Sequence, residues 1–172
     1  RDHLQDDCGL ALFCVLLGMA LRETANAAPS RGELLHRVIL AAQKRSLADK
    51  STWAARFDAL CRVAVLSTDA GGGPVRLSEL GMTSIEASQL SSTRLIAEEG
   101  EQLVFTVATM RLWFAAQSLR KGFVSAEELV ADLSRVRRWT DPLAIFIATT
   151  DFDSASRYFE PLAATHPAVA AQ

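Results

Sequence analysis

The stretch from Val75 to Val107 limits the fold more than any other part of this sequence. Val75-Arg76-Leu77 reads as a short extended piece and Ser78 to Met82 as a short helix. Thr83-Ser84-Ile85-Glu86 is a capping box, which satisfies the orphan N–H groups of a helix start, and it opens a helix reaching about Ser92. Leu95-Ile96-Ala97 and Leu103-Val104-Phe105-Thr106-Val107 are strand-like runs on either side of a turn at Gly100-Glu101. Ahead of all this, Ser51 is placed to cap a helix in which Trp53, Phe57, Leu60, Cys61 and Ala64 recur at helical spacing, with Arg56, Asp58 and Arg62 facing elsewhere. The order helix, strand, helix, helix, strand, strand is that of a winged helix, a helix-turn-helix variant closed by a hairpin.

The flanks read as helical. Gln5 to Thr24 is apolar nearly all the way round, which predicts burial on several sides. After Ala27-Ala28-Pro29, the capping box Ser30-Arg31-Gly32-Glu33 opens a helix to about Ser46, with Leu34, Leu35, Val38, Ala41 and Ala42 as its apolar stripe. Beyond the hairpin, Met110, Leu112, Trp113, Phe114, Ala115, Ala116 and Leu119 crowd one helix on most sides. A third capping box, Ser125-Ala126-Glu127-Glu128, leads a helix whose one face carries Leu129, Leu133 and Val136. Asp141 followed by Pro142 reads as an N-cap with proline in the first helical position, and Leu143, Ile145, Phe146 and Ile147 fill that helix. Ala155, Tyr158, Phe159 and Leu162 form a last amphipathic stretch, and helix pairs in this order suggest the start of a superhelical array. The predicted fold class is mainly α, a helical bundle with a central winged-helix unit. Its divisions are a helical lid fragment over residues 1–50, the winged helix over 51–107 and a helical domain over 108–172.

Composition narrows the function. With 49% hydrophobic residues the chain can bury a core. Its net charge of −2 supplies no general field for nucleic acid or an anionic membrane. The longest apolar run, Cys8 to Leu21, is shorter than the roughly twenty residues a bilayer demands, so no membrane span is expected. Cys8, Cys14 and Cys61 are odd in number and lie in apolar helical patterns, which fits buried thiols in a reducing, cytoplasmic setting. The chain opens on Arg1 rather than Met, which suggests a segment of a longer polypeptide.

Catalytic and metal motifs are missing from the pattern. His3, His36 and His166 have no Cys or His at ligand spacing. Gly71-Gly72-Gly73-Pro74 lacks the Lys-Ser/Thr of a phosphate loop and reads as a flexible connector. Glu98, Glu99 and Glu101 at the hairpin turn read as a solvated group protecting a sheet edge. No Ser-His-Asp or Cys-His set can be assembled, so no catalytic residue, metal or cofactor is assigned to this segment.

A winged helix that grips DNA needs cations on its second helix and its wing. From Pro74 to Val107 the cations are Arg76 and Arg94, against Glu79, Glu86, Glu98, Glu99 and Glu101, a net of −3. The helix from Ser84 to Ser92 carries no base, and nucleic-acid binding is therefore not expected. Trp53, Trp113 and Trp139 sit on or beside apolar helical stripes and read as core. Arg135, Arg137 and Arg138 before Trp139 read either as a solvated helix end, where cations suit the helix dipole, or as a latch to another domain. These four residues are the candidate interaction site.

Several motifs together resemble the signal-transducing NTPases of the STAND class, above all the NACHT type, in the region that follows the nucleotide-binding core. Pro29-Ser30-Arg31-Gly32-Glu33-Leu34-Leu35 resembles that family's Pro-x-x-Ser-Arg-x-Glu-Leu segment, with tighter spacing. The run Ser92-Thr93-Arg94-Leu95-Ile96-Ala97-Glu98-Glu99-Gly100-Glu101-Gln102-Leu103-Val104-Phe105 is similar to the end of its winged helix. Thr109-Met110-Arg111-Leu112-Trp113-Phe114-Ala115-Ala116 resembles the helix that follows, and Trp139-Thr140-Asp141-Pro142-Leu143 a later Trp-x-x-Pro-Leu pattern. The resemblance implies a regulatory, conformational-switch segment that holds its parent closed and then lets subunits assemble. Its partners would be other domains of the same polypeptide and further copies, with ATP or ADP bound in the parent. Three positions depart from the family: Val107 stands where its phosphate-contacting His falls, Gly9 where a Pro often stands, and Leu112 at the Glu of its Glu-Tyr pair. Two further readings are a winged-helix DNA-binding regulator and an independent helical adaptor that binds another protein.

Overall fold

The computed structural model describes residues 50–171, together with Ile39. The expectations for Cys8, Cys14, His3, His36, Gly9, the helix from Gln5 and the Pro29-to-Leu35 motif lie outside the described residues. Among the described residues the protein is mainly helical with one small sheet. In chain order the elements are α1 (Lys50–Asp69), β1 (Val75–Arg76), α2 (Leu77–Leu80), α3 (Ser84–Ser91), β2 (Ile96–Glu99), β3 (Gln102–Phe105) and α4 (Ala108–Arg120). They are followed by α5 (Ala126–Val130), α6 (Leu133–Arg138), α7 (Thr140–Thr149), α8 (Phe152–Thr165) and α9 (Pro167–Ala170). The stretch from α1 to β3 has the winged-helix order, and its sheet has the strand order β1-β3-β2.

The described residues fall into two compact units, one holding 50–57 and 76–110, the other 58–75 and 111–171. In the first unit, β2 and β3 pair antiparallel with Ile96 opposite Phe105 and Glu99 opposite Gln102. The two-residue turn between them places Gly100 at φ +64, a left-handed conformation that costs glycine little. Alternation along the strands buries Ile96, Leu103 and Phe105, while Glu98 and Glu99 stay exposed. The Leu77 N–H donates to the Glu101 carbonyl at 2.9 Å, tying the chain after β1 to the hairpin. The expected capping box is present at α3: Glu86 N–H donates to the Thr83 hydroxyl and the Thr83 N–H donates to Glu86 Oε2 at 2.8 Å. Such a cap contributes about 1 kcal/mol. Ala87 and Leu90 turn inward from α3, which packs on β2.

The second unit is built on the central part of α4, where Trp113 through Leu119 are all buried. Trp113 and Phe114 meet edge to face, with ring centroids 5.1 Å apart. α8 packs on α5, α7 and α9. The capping box at Ser125 and Glu128 starts α5 as expected.

Four local expectations need correction. Ser51 lies inside α1 rather than ahead of it. The helix expected to carry Leu129, Leu133 and Val136 together is two helices. Asp132 turns its side chain back to accept the Ser134 N–H at 2.8 Å, which stops α5 and starts α6 and leaves Leu133 exposed. Asp141 does not cap α7, which begins at Thr140; Trp139 closes α6 and opens α7 at once, leaving no loop in which Asp141 could cap. The glycine stretch after α1 is an ordered terminus rather than a loose connector. Gly72 N–H donates to the Ser67 carbonyl at 2.7 Å and Gly71 N–H to Thr68 at 3.0 Å, the two bonds of a Schellman cap, with Gly71 at φ +73. The Ser67 hydroxyl adds a bond to the Gly73 carbonyl at 2.7 Å.

Candidate functional site

In the first unit, the face a winged helix would offer to a partner is polar and acidic. α3 exposes Ser84, Ile85, Glu86, Ser88 and Gln89, with no cation among them. Ile85 is 72% exposed, and the hairpin tip presents Glu98, Glu99 and Glu101 to solvent. Arg94, one of the two cations in this region, sits at φ +60 between α3 and β2, where its carbonyl accepts the Thr106 hydroxyl at 3.2 Å. Val107 is half-buried in the turn before α4, and its carbonyl accepts the Met110 N–H at 3.0 Å.

In the second unit, a polar cluster gathers at the end of α1. Arg135 of α6 forks onto Asp69, Nε to Oδ1 and Nη2 to Oδ2, both at 2.9 Å. The same Oδ1 accepts the Trp139 indole N–H at 2.7 Å. Two parallel N–H···O bonds hold the guanidinium plane against the carboxylate, a geometry lysine could not reproduce. Trp139 is 0% exposed, so its only polar atom must find a partner inside, and Asp69 supplies it. Of the four candidate interaction residues, Arg135 and Trp139 thus meet on one carboxylate. Arg137 and Arg138 point to solvent in the last turn of α6, Arg138 lying 3.9 Å from Asp132. Asp69 escaped the sequence reading because it stands 66 residues from Arg135. The cue that could have found it was a buried Trp needing an acceptor.

Two further groups shape this unit. Arg111 is half-buried, and its guanidinium lies where a side chain at Gly72 would begin, 2.9 Å from a Cβ at that position. Burial lowers its pKa below the usual value, and Asp141 works against that shift. Cys61 is fully buried on α1; burial pushes its thiol up to about 12, with Lys121 opposing and Asp58 adding to the shift, so it is no nucleophile at neutral pH. His166 Nε2 lies 2.9 Å from the Val130 carbonyl. Among the described residues, no group of three or more His, Cys, Asp or Glu could hold a metal ion, and no helix is long and apolar enough to cross a membrane.

Comparison with family models, with curated protein sequences and with solved structures finds no match for this chain.

Proposed function

We propose that this chain is a non-catalytic regulatory segment of a STAND-type signalling NTPase of the NACHT kind, acting through packing between domains of one polypeptide and between copies. The observation that carries the reading is the charge of the winged-helix face. A winged helix whose α3 shows no cation and whose hairpin tip shows three glutamates repels a phosphate backbone and is suited to contact with protein. The motif order from Pro29 to Leu143 supplies the family, and the parent would hold ATP or ADP upstream of this segment in the cytoplasm.

The test is fluorescence anisotropy of labelled random duplex DNA against the chain over a salt series, paired with sizing of the parent protein in ADP and ATP. The expected results are no DNA binding at about 0.15 M salt and an assembly state that follows the nucleotide. Binding that falls steeply with salt would replace this reading with that of a DNA-binding regulator. A parent with no nucleotide response would leave a helical adaptor.

A further inference from the structure

Within the second unit, the C-terminal end of α4, the start of α5 and parts of α7 and α8 enclose a half-open cleft of about 450 Å³. That volume falls in the range of roughly 300–1,000 Å³ typical of small-molecule sites. Its floor is apolar: Leu119, Phe146 and Tyr158 are buried, and the two rings meet edge to face with centroids 5.2 Å apart. The Tyr158 hydroxyl is turned away onto backbone, 2.6 Å from the Val124 carbonyl and 3.0 Å from that of Leu119. The lining also carries three cations, Arg120, Lys121 and Arg157, and one carboxylate, Glu127.

The charges around the cleft are unequally occupied. Lys121 is paired with Asp58 at 2.6 Å. Arg120 donates to the Thr149 carbonyl, a neutral acceptor. Arg157 is exposed, and its charge acts on Asp151 and on Tyr158. Just outside the lining, Glu128 accepts the Ser125 N–H at 3.2 Å and Asp151 accepts the Ser154 N–H at 2.9 Å, and both carboxylates keep their charge. Within the lining itself three cations stand against one carboxylate, over an aromatic floor.

We propose that this cleft binds a small organic anion, a carboxylate or phosphate head group on Arg157 and Arg120 with an apolar body lying on Phe146 and Tyr158. The experiment is calorimetric titration of the 172-residue chain with phenyl phosphate and, separately, with 3-phenylpropanoate; 2-phenylethanol is the neutral control and inorganic phosphate the control without a body. The expected result is saturable one-to-one binding of at least one aromatic anion, with the tighter of the two naming the head group. Both controls should bind far more weakly. Arg157→Gln, a change at an exposed side chain, should weaken binding about tenfold, as loss of a charge-assisted hydrogen bond does. Glu127→Gln should tighten it about twofold by removing the opposing charge. No saturable binding of either anion at about 10 mM overturns the proposal. So does an affinity that neither Arg157→Gln nor Arg120→Gln alters.

Discussion

Asp69 and Trp139 share one short bond: the indole N–H reaches Oδ1 at 2.7 Å, the same oxygen that receives the Arg135 Nε–H. Asp69→Ala therefore strips partners from three N–H donors on two side chains, one of them a largely buried cation. A loss of roughly 2–4 kcal/mol in unfolding free energy is expected, read by denaturant titration with both native and variant chains. In a cycle with Arg135→Ala, the pair should show coupling of about 1–3 kcal/mol; additive losses would reduce the fork to a packing contact.

Trp139→Phe keeps most of the ring and removes the donor. The expected cost is about 1–2 kcal/mol, smaller than that of Asp69→Ala because the Arg135 fork survives. Thermal unfolding at neutral pH ranks the two variants directly.

The cap of α1 separates conformational strain from crowding. Gly71, at φ +73, has open space where a Cβ would go, so Gly71→Ala should cost about 1 kcal/mol from backbone strain alone. Gly72→Ala, at φ +98, must also push aside the Arg111 guanidinium, the far end of a flexible but half-buried side chain, and should cost somewhat more. Adding Arg111→Ala should relieve that excess at Gly72 and leave the cost at Gly71 unchanged.

Arg94 is the reverse case, a residue with a side chain held at φ +60. Arg94→Gly should stabilise the chain by about 0.5–1 kcal/mol, measured by urea titration, since the strain removed exceeds the freedom gained by the unfolded chain.

Acid should weaken three helix starts. Hydrogen bonds from Thr83, Ser134 and Ser154 hold the carboxyls of Glu86, Asp132 and Asp151 below their ordinary values of 4.5, 3.8 and 3.8. A carboxyl whose pKa is lowered by folding contributes stability above its unfolded pKa and loses it as pH falls through the folded one. Stability should thus be level with respect to these groups above about pH 5 and decline below about pH 4. Asp151→Asn, which can still accept the Ser154 N–H, should flatten that decline in a pH series of denaturant midpoints.

What was legible in the sequence was local. The order of elements from α1 to β3, the boxes at Thr83 and Ser125 and the turn at Gly100 each rest on residues within four positions of one another. The break between α5 and α6 was hidden because Leu129, Leu133 and Val136 keep helical spacing across it, and only the side-chain bond of Asp132 shows that the backbone has turned. The cluster on Asp69 was illegible for a different reason. Its members lie on α1, α6 and the junction after α6, and no pattern in the chain announces which carboxylate a distant guanidinium will meet. The cleft shares that property, since its cations and its aromatic floor come from three helices and the turn after α4.

Trp139 ends one helix and begins the next while its indole is wholly enclosed. The bend there works like a welded elbow rather than a hinge: swinging α7 away from α6 would drag a large ring out into water. Any rearrangement within this unit must pivot elsewhere and carry the elbow through unchanged.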